Sequence, residues 1–314
     1  VLSGFLITYL LIEEKVTRKK IDVINFWIRR ILRIWPLFFF CVTFGFIIFP
    51  LIKTYFGQIP NENANPLYYL TFTNNFDFIR KGIPDSSVLG VLWSIAIEEQ
   101  FYLIWPIILM ILPLKHYLKF FIVTIIISLI FRALYPEPLI YEHHTLSCMG
   151  DLTIGAAGAY LCRQPEFLSK IKYLSRFNII IIYTCFFIVF FFRDELFDHN
   201  YYIRIFDRII IASIMLMIIL EQNFSMNSFY KMSDFKFASK LGVISYGLYC
   251  LHFIGILITI TITQKLHINE NLWSVLIIEP ILALVITIFI SKISYRFFES
   301  PFLRLKEKFA YIIK

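Results

Sequence analysis

The sequence predicts an all-α fold, a polytopic bundle of transmembrane helices. Three observations predict it. Hydrophobic residues fill 59% of the 314 positions and charged residues only 17%, against about 45–50% and about 25% in soluble domains. Mean hydropathy is +0.72. Apolar runs of about 20 residues recur, the length that crosses ~30 Å of hydrocarbon at ~1.5 Å per residue. The runs are continuous, whereas barrel strands alternate. No linker, low-complexity block or long repeat interrupts them. Residues 1–314 therefore read as a single transmembrane domain.

In chain order the spans are expected at 1–12, 34–52, 90–112, 117–135, 146–162, 177–193, 204–221, 243–263 and 273–295, about nine in all. The first is partial: its run reaches only about 18 Å at helical rise. Val1 is not a start methionine. The expectation is that the rest of this span and one earlier span precede it, giving ten spans with both ends inside.

Charge placement orients the bundle. Basic residues concentrate in cytoplasmic loops. With the 13–33 loop inside, 21 of the 30 Lys and Arg fall on cytoplasmic segments, from Lys15 and Arg18 to Arg304 and Lys314. Outer segments hold Lys53, Arg80, Lys81, Arg132, Arg193, Arg204 and Lys265. Arg208 and Lys292 sit near span ends, where long side chains snorkel. The chain is thus expected in the cell (inner) membrane with its C-terminus cytoplasmic. The net charge of +8 is topological and does not point to nucleic acid. Five scattered cysteines without a CxxC pair read as small buried hydrophobes.

The strongest chemical signal is 92–106, LWSIAIEEQFYLIWP. Carboxylates at membrane depth are costly and mark functional sites. Helical spacing sets Ser94, Glu98, Tyr102 and Trp105 on one face, with Glu99 about 100° around. Glu98 or Glu99 could transfer protons, hold an arginine or orient a histidine; a register-fixing ion pair is the structural alternative. In 26–38, FWIRRILRIWPLF, Arg30 and Arg33 share a helix face and suit phosphate oxygens, or else anchor the span on anionic lipid. Arg29 points elsewhere and reads as the anchor.

Three weaker signals follow. Residues 143–160, HHTLSCMGDLTIGAAGAY, offer a smooth Gly/Ala face for close helix packing, with Asp151 near an outer boundary. His143 and His144 do not share a helix face and lack a third ligand, so metal is not expected. The string Ser245–His252 places Tyr249 and His252 on one face, with His252 a candidate proton relay. Near the end, Glu299 before Pro301 reads as an interfacial stop beside Arg296. Walker, GxGxxG, HExxH, GxSxG and HxxxxD motifs are absent from the sequence, so ATP-driven transport and soluble-type serine hydrolysis lack support.

SGFLIT (3–8), RRILRIWP (29–36), WSIAIEEQFYLIWP (93–106), DLTIGAAGAYL (151–161), ISYGLYCLHF (244–253) and YRFFESP (295–301) occur together, in order, and resemble the acyltransferase-3 family of membrane O-acyltransferases. The resemblance covers essentially the whole chain. It implies about ten spans and no bound cofactor. It also implies transfer of an acyl group, typically from acetyl-CoA as co-substrate, to a hydroxyl of a surface or exported glycan. It suggests Arg30 and Arg33 as donor-binding residues and Glu98 or Glu99 in the catalytic core. Ser3, Tyr102, Asp151 and His252 are supporting candidates. The family's catalytic histidine, upstream of an SGF segment like Ser3-Gly4-Phe5, matches none of the six histidines here. The implied partners are lipid, acyl-CoA and a glycan acceptor. A proton-coupled secondary transporter using Glu98 and Glu99 is the rival reading, though no repeated half supports it. A non-catalytic assembly protein is the third.

Overall fold

A computed structural model describes residues 1–197 and 199–309. The described residues form helices and no strands. In chain order the principal helices are α1 (Leu2–Arg18), α2 (Val23–Thr43), α3 (Trp93–Ile111), α4 (Tyr117–Leu134), α5 (Thr145–Leu161), α6 (Arg176–Phe197), α7 (Tyr201–Phe224), α8 (Ser245–Lys265), α9 (Glu279–Ile293) and α10 (Ser300–Glu307). Five stretches among the described residues are long and apolar enough to cross a membrane: Val23–Tyr55, Ser87–Ile111, Leu114–Leu134, Ser245–Lys265 and Ser274–Glu307. The bent pair Pro165–Lys172 and Arg176–Phe197 would make a sixth. The chain is an integral membrane protein built from helices, as its hydropathy requires.

The expected 13–33 loop is mostly helix. α1 runs through Arg18 and ends where Lys19 takes a left-handed conformation, φ 63°; α2 begins four residues later. Asp22 N–H donates to Glu14 Oε1 at 3.1 Å across this corner. Long hydrophobic runs are continued by π-helical turns at Phe44–Ile48, Ser274–Ile278 and Ser294–Glu299, which apolar periodicity does not reveal. Capping residues set other starts. Asn200 accepts from the Tyr202 and Ile203 amides at the head of α7.

Contacts divide the chain into two compact units, Val1–Val23 with Ile97–Asp234, and Ile24–Ala96 with the segment from Phe235 onward. The centre of the first unit is α5. Its glycines were expected to form one smooth face, but each meets a different helix. A Cβ on Gly150 would lie 2.9 Å from Ser128 Oγ on α4. One on Gly155 would lie 2.0 Å from the Val1 carbonyl oxygen at the start of α1, and one on Gly158 would lie 2.4 Å from Leu216 Cδ1 on α7. Small residues let backbones approach where hydrophobic driving force between helices is weak.

In the second unit α8 and α9 pack side by side. A Cβ on Gly255 would stand 2.2 Å from Thr287 Oγ1, and one on Gly247 would lie 3.3 Å from Glu299 Oε1. α2 joins them: the Tyr246 hydroxyl donates to the Ile34 carbonyl at 2.8 Å, and Cys41 Sγ lies 3.5 Å from the Cys250 carbonyl. Cys41, Cys148, Cys162 and Cys250 are buried free thiols, as read from sequence, whereas Cys185 is exposed.

The connection after α2 carries an ion pair of its own. Lys53 Nζ donates to both Asp85 carboxylate oxygens at 2.8 Å, and the Asn61 N–H donates to Oδ2 at 3.1 Å. Burial opposes the charge on Asp85, but the Lys53 and Asn61 bonds outweigh it and hold the carboxyl below the ordinary aspartate range. A depressed carboxyl stabilises the fold above its unfolded pKa of about 3.9 and loses that contribution as pH falls through the folded value. Hydrogen exchange should therefore show constant protection around Asn61 from pH 7 to about 5 and loss below about pH 4. In Asp85→Asn the protection should be weak and flat across that range.

Candidate active site

Glu98 sits in the first unit, on the second turn of α3. Ser3 Oγ donates to its Oε1 and the Tyr102 hydroxyl to its Oε2, both at 2.8 Å. Ser3 comes from α1 and Tyr102 from one turn along α3. Hydrogen bonds to a carboxylate are shorter and stronger than neutral ones, so one bond per oxygen fixes the group's plane. The neighbouring bonds lock the same helices. Trp105 Nε1 donates to Thr8 Oγ1 at 2.8 Å, and Lys15 Nζ donates to the carbonyls of Leu109 and Leu112, each at 2.6 Å. Lys15, counted from sequence as a loop charge, thus caps the C-terminal end of α3, where helix carbonyls are unsatisfied and the dipole is negative.

The adjacent positions have different surroundings. Glu99 is partly buried, with Oε1 shielded from solvent. Gln100 accepts from Thr145 Oγ1 at 2.5 Å, tying α3 to α5. The rest of the predicted 93–106 face, Ser94, belongs to the second unit, where it donates to the Tyr249 hydroxyl at 2.5 Å. That direction follows because the tyrosine proton is directed at the Val91 carbonyl, 2.7 Å away.

Asp151 lies in an ion network that the sequence did not suggest. Arg132 Nη2 reaches its Oδ1 at 3.1 Å, and Arg208 reaches Oδ2 through Nη2 at 2.6 Å and Nε at 2.9 Å. Arg193 bridges Glu142 and Asp207 at 3.4 and 3.3 Å. Three arginines thus meet three carboxylates. Arg132 is 0% exposed, and Arg208, expected to snorkel, is instead paired with Asp151. A buried arginine needs paired acids and carbonyls, and Arg132 also donates to the Ser147 carbonyl. The only sequence signal was arginine and aspartate recurring inside apolar runs. Ser3 bonds Glu98 and Gly4 packs on Leu152, the residue after Asp151, so these two predicted acids belong to the same end of α1.

Of the two loop histidines, His144 has a structural role. His144 Nδ1 accepts from the Leu146 amide at 3.2 Å, capping α5, and its ring stacks on Phe131 at 4.4 Å. Burial lowers the pKa of His144, which favours the neutral form that a cap acceptor requires. Among the described residues no group of three His, Cys, Asp or Glu could hold a metal.

The arginine pair lies in the second unit. The Arg30 guanidinium stands over the Phe26 ring at 5.4 Å. Arg29 Nη1 donates to the Phe309 carbonyl at 2.7 Å. Arg33 is within electrostatic range of Glu299, and all three arginines are within range of Lys306. Glu299 accepts from Ser294 Oγ at 2.9 Å within its π-turn. Arg296, the neighbour expected from sequence, stands over the Phe297 ring at 5.5 Å. His252, also in this unit, directs Nδ1 at the Tyr249 carbonyl at 2.6 Å. A carbonyl only accepts, so Nδ1 carries the proton and Nε2 is left as the acceptor in the neutral ring.

A family model described as an acyltransferase domain matches residues 1–296. The peptidoglycan O-acetyltransferase OatA of Listeria monocytogenes is 27% identical over 329 residues, covering 96% of this chain and 50% of that protein. The O-acetyltransferase OatA of Staphylococcus aureus is 28% identical over 328 residues, covering 96% and 51%. The chain thus spans about half the length of the curated relatives it matches. No solved structure matches it.

Proposed function

The chain belongs to the acyltransferase-3 family, and from that premise we propose that it is the membrane part of an O-acyltransferase. It transfers an acetyl group from acetyl-CoA to a hydroxyl of a cell-wall polysaccharide. The observation that carries the reading is the Glu98 carboxylate, held through both oxygens by Ser3 and Tyr102 in a helix that otherwise reads as lipid-spanning. The names of the relatives support acetyl as the group and peptidoglycan as the acceptor class.

In this reading Arg30 and Arg33 bind the donor's phosphates from the cytoplasmic side, because guanidinium forks match phosphate oxygens. Glu99 lies beside Glu98 as a second carboxylate of the same core. Glu98 orients the general base and balances the charge that develops on it. The resemblance implies a histidine for that base, upstream of Ser3-Gly4-Phe5; Ser3 is the residue bonded to Glu98. The acceptor oxygen attacks the thioester carbonyl, its proton passes to the base, and the C–S bond breaks to release CoA. Asp151, tied to Arg132 and Arg208, fixes α5 against α4 and α7.

The test is acetyl transfer by full-length protein in proteoliposomes, with acetyl-CoA and a soluble glycan fragment. CoA release and an acetylated glycan are expected. Arg30→Ala and Arg33→Ala should each raise KM for acetyl-CoA about 10–100-fold, the range for losing a charged hydrogen-bonding group. An unchanged KM in both removes the donor assignment. Proton-coupled solute flux without CoA release would make the protein a transporter.

A further inference from the structure

Beside the contact seam of α8 and α9 runs a groove of about 510 Å³, wholly within the second unit. One wall is the i, i+4 stripe Leu248, His252, Ile256 and Ile260 of α8; the other includes Glu279 and Ala283 of α9. The seam explains why it exists. Gly255 brings α8 against Thr287, and the larger side chains on either side then stand apart. Both walls belong to stretches long and apolar enough to cross a membrane. From residue 248 to residue 260 the groove extends roughly 18 Å at helical rise, close to the ~15 Å of one leaflet's hydrocarbon.

Its charge is one-sided. Glu279 is the only acid among the residues lining the groove, which include no lysine or arginine. The carboxylate sits at the end nearest the α8–α9 connection, steadied by Thr263 Oγ1, which donates to Oε1 at 2.6 Å. The remaining acceptor capacity of Glu279 is available at the mouth. A bare apolar groove would take any lipid tail. A groove with a single carboxylate at one end favours an amphiphile whose head donates hydrogen bonds and carries positive charge.

We propose that the α8–α9 groove binds one hydrocarbon chain of an amine-headed membrane lipid, with the ammonium at Glu279 and the chain running past Ala283 toward Leu248. Arg30, Arg33, Glu98 and Glu99 are not among the residues lining the groove, whereas His252, a supporting candidate, is; the proposal does not rest on the acyl-transfer assignment.

The test is photolabelling of the full-length protein in phosphatidylcholine nanodiscs, with peptide mapping by mass spectrometry. Three probes share one diazirine-bearing chain and differ in head: primary amine, alcohol and carboxylic acid. Labelling of the α8 and α9 peptides should be strongest for the amine, by roughly fivefold or more over the acid, as a charge-assisted contact implies. Glu279→Gln keeps an acceptor for Thr263 and should abolish that preference while chain labelling persists. Ala283→Trp fills the groove and should remove labelling by all three probes. Thermal unfolding of each variant, matched to the parent, excludes misfolding as the cause. Equal labelling by amine and acid overturns the headgroup assignment. Labelling that survives Ala283→Trp, or spreads evenly over other spans, overturns the groove itself.

Discussion

Glu98→Gln in the full-length protein is expected to lower acetyl transfer by about a hundredfold or more, the usual scale for losing a positioned group in proton transfer, with protein level and Tm close to the parent. The substitution keeps the shape of the side chain and one carbonyl oxygen. Ser3 Oγ and the Tyr102 hydroxyl each donate to a different carboxylate oxygen at 2.8 Å, so glutamine retains one of these acceptors and turns the other into a donor. The hydroxyl facing the new NH₂ can rotate and accept instead. Geometry therefore survives while the negative charge is lost. Ser3→Ala and Tyr102→Phe make the complementary change: the charge stays and one orienting bond goes. Each should reduce kcat about 10-fold, as expected for one hydrogen bond to a charged group. A double substitution should approach the Glu98→Gln value without exceeding it, because the three groups act as one unit. If Glu98→Gln turns over at the parental rate, the carboxylate is a packing feature and the proposed site falls.

Why this site was legible, and what was not, follows from two kinds of signal. A charge inside a 20-residue apolar run stands out because lipid cannot solvate it. Glu98 and Glu99 were singled out in that way, Arg30 and Arg33 by sharing a helix face beside a span, and the helical period supplied Tyr102. Ser3 came only with the family resemblance, since a serine in an apolar run costs little and carries no local signal. The Arg132–Asp151–Arg208 group was half visible: each residue lies in or beside an apolar run, but their pairings span 19 and 57 positions of sequence and depend on how α4, α5 and α7 pack. The π-helical turn at Ser294–Glu299 shifts the helical phase that sequence spacing assumes.

The second large effect concerns backbone approach. Adding one methyl at Gly4 or Gly155 should destabilise the protein by about 3 kcal/mol or more, at or above the upper end for overpacking. A Cβ on Gly4 would lie 1.9 Å from the Leu152 carbonyl oxygen, and one on Gly155 would lie 2.0 Å from the Val1 carbonyl oxygen and 2.8 Å from Phe5 N. These neighbours are main-chain atoms of facing helices, so no rotamer change relieves the clash and the helices must separate. Gly158→Ala should cost less, because its nearest neighbours are the branched end of Leu216. Gly242→Ala, with nothing within 4 Å of the new atom, should be neutral or stabilising by about 0.5–1 kcal/mol through helix propensity. Thermal unfolding in detergent checks the order: Gly4 and Gly155 lowest, then Gly158, with Gly242 at or above the parent. The same separation has a chemical consequence. Ser3 precedes Gly4 and donates to Glu98, so pushing α1 off α5 draws that hydroxyl away from the carboxylate. Residual folded Gly4→Ala protein should therefore show a lower kcat per folded molecule, whereas Gly158→Ala should not. Equal unfolding temperatures across the four variants would mean that α1 and α5 are not in this contact, and the placement of Ser3 against Glu98 would lose its support.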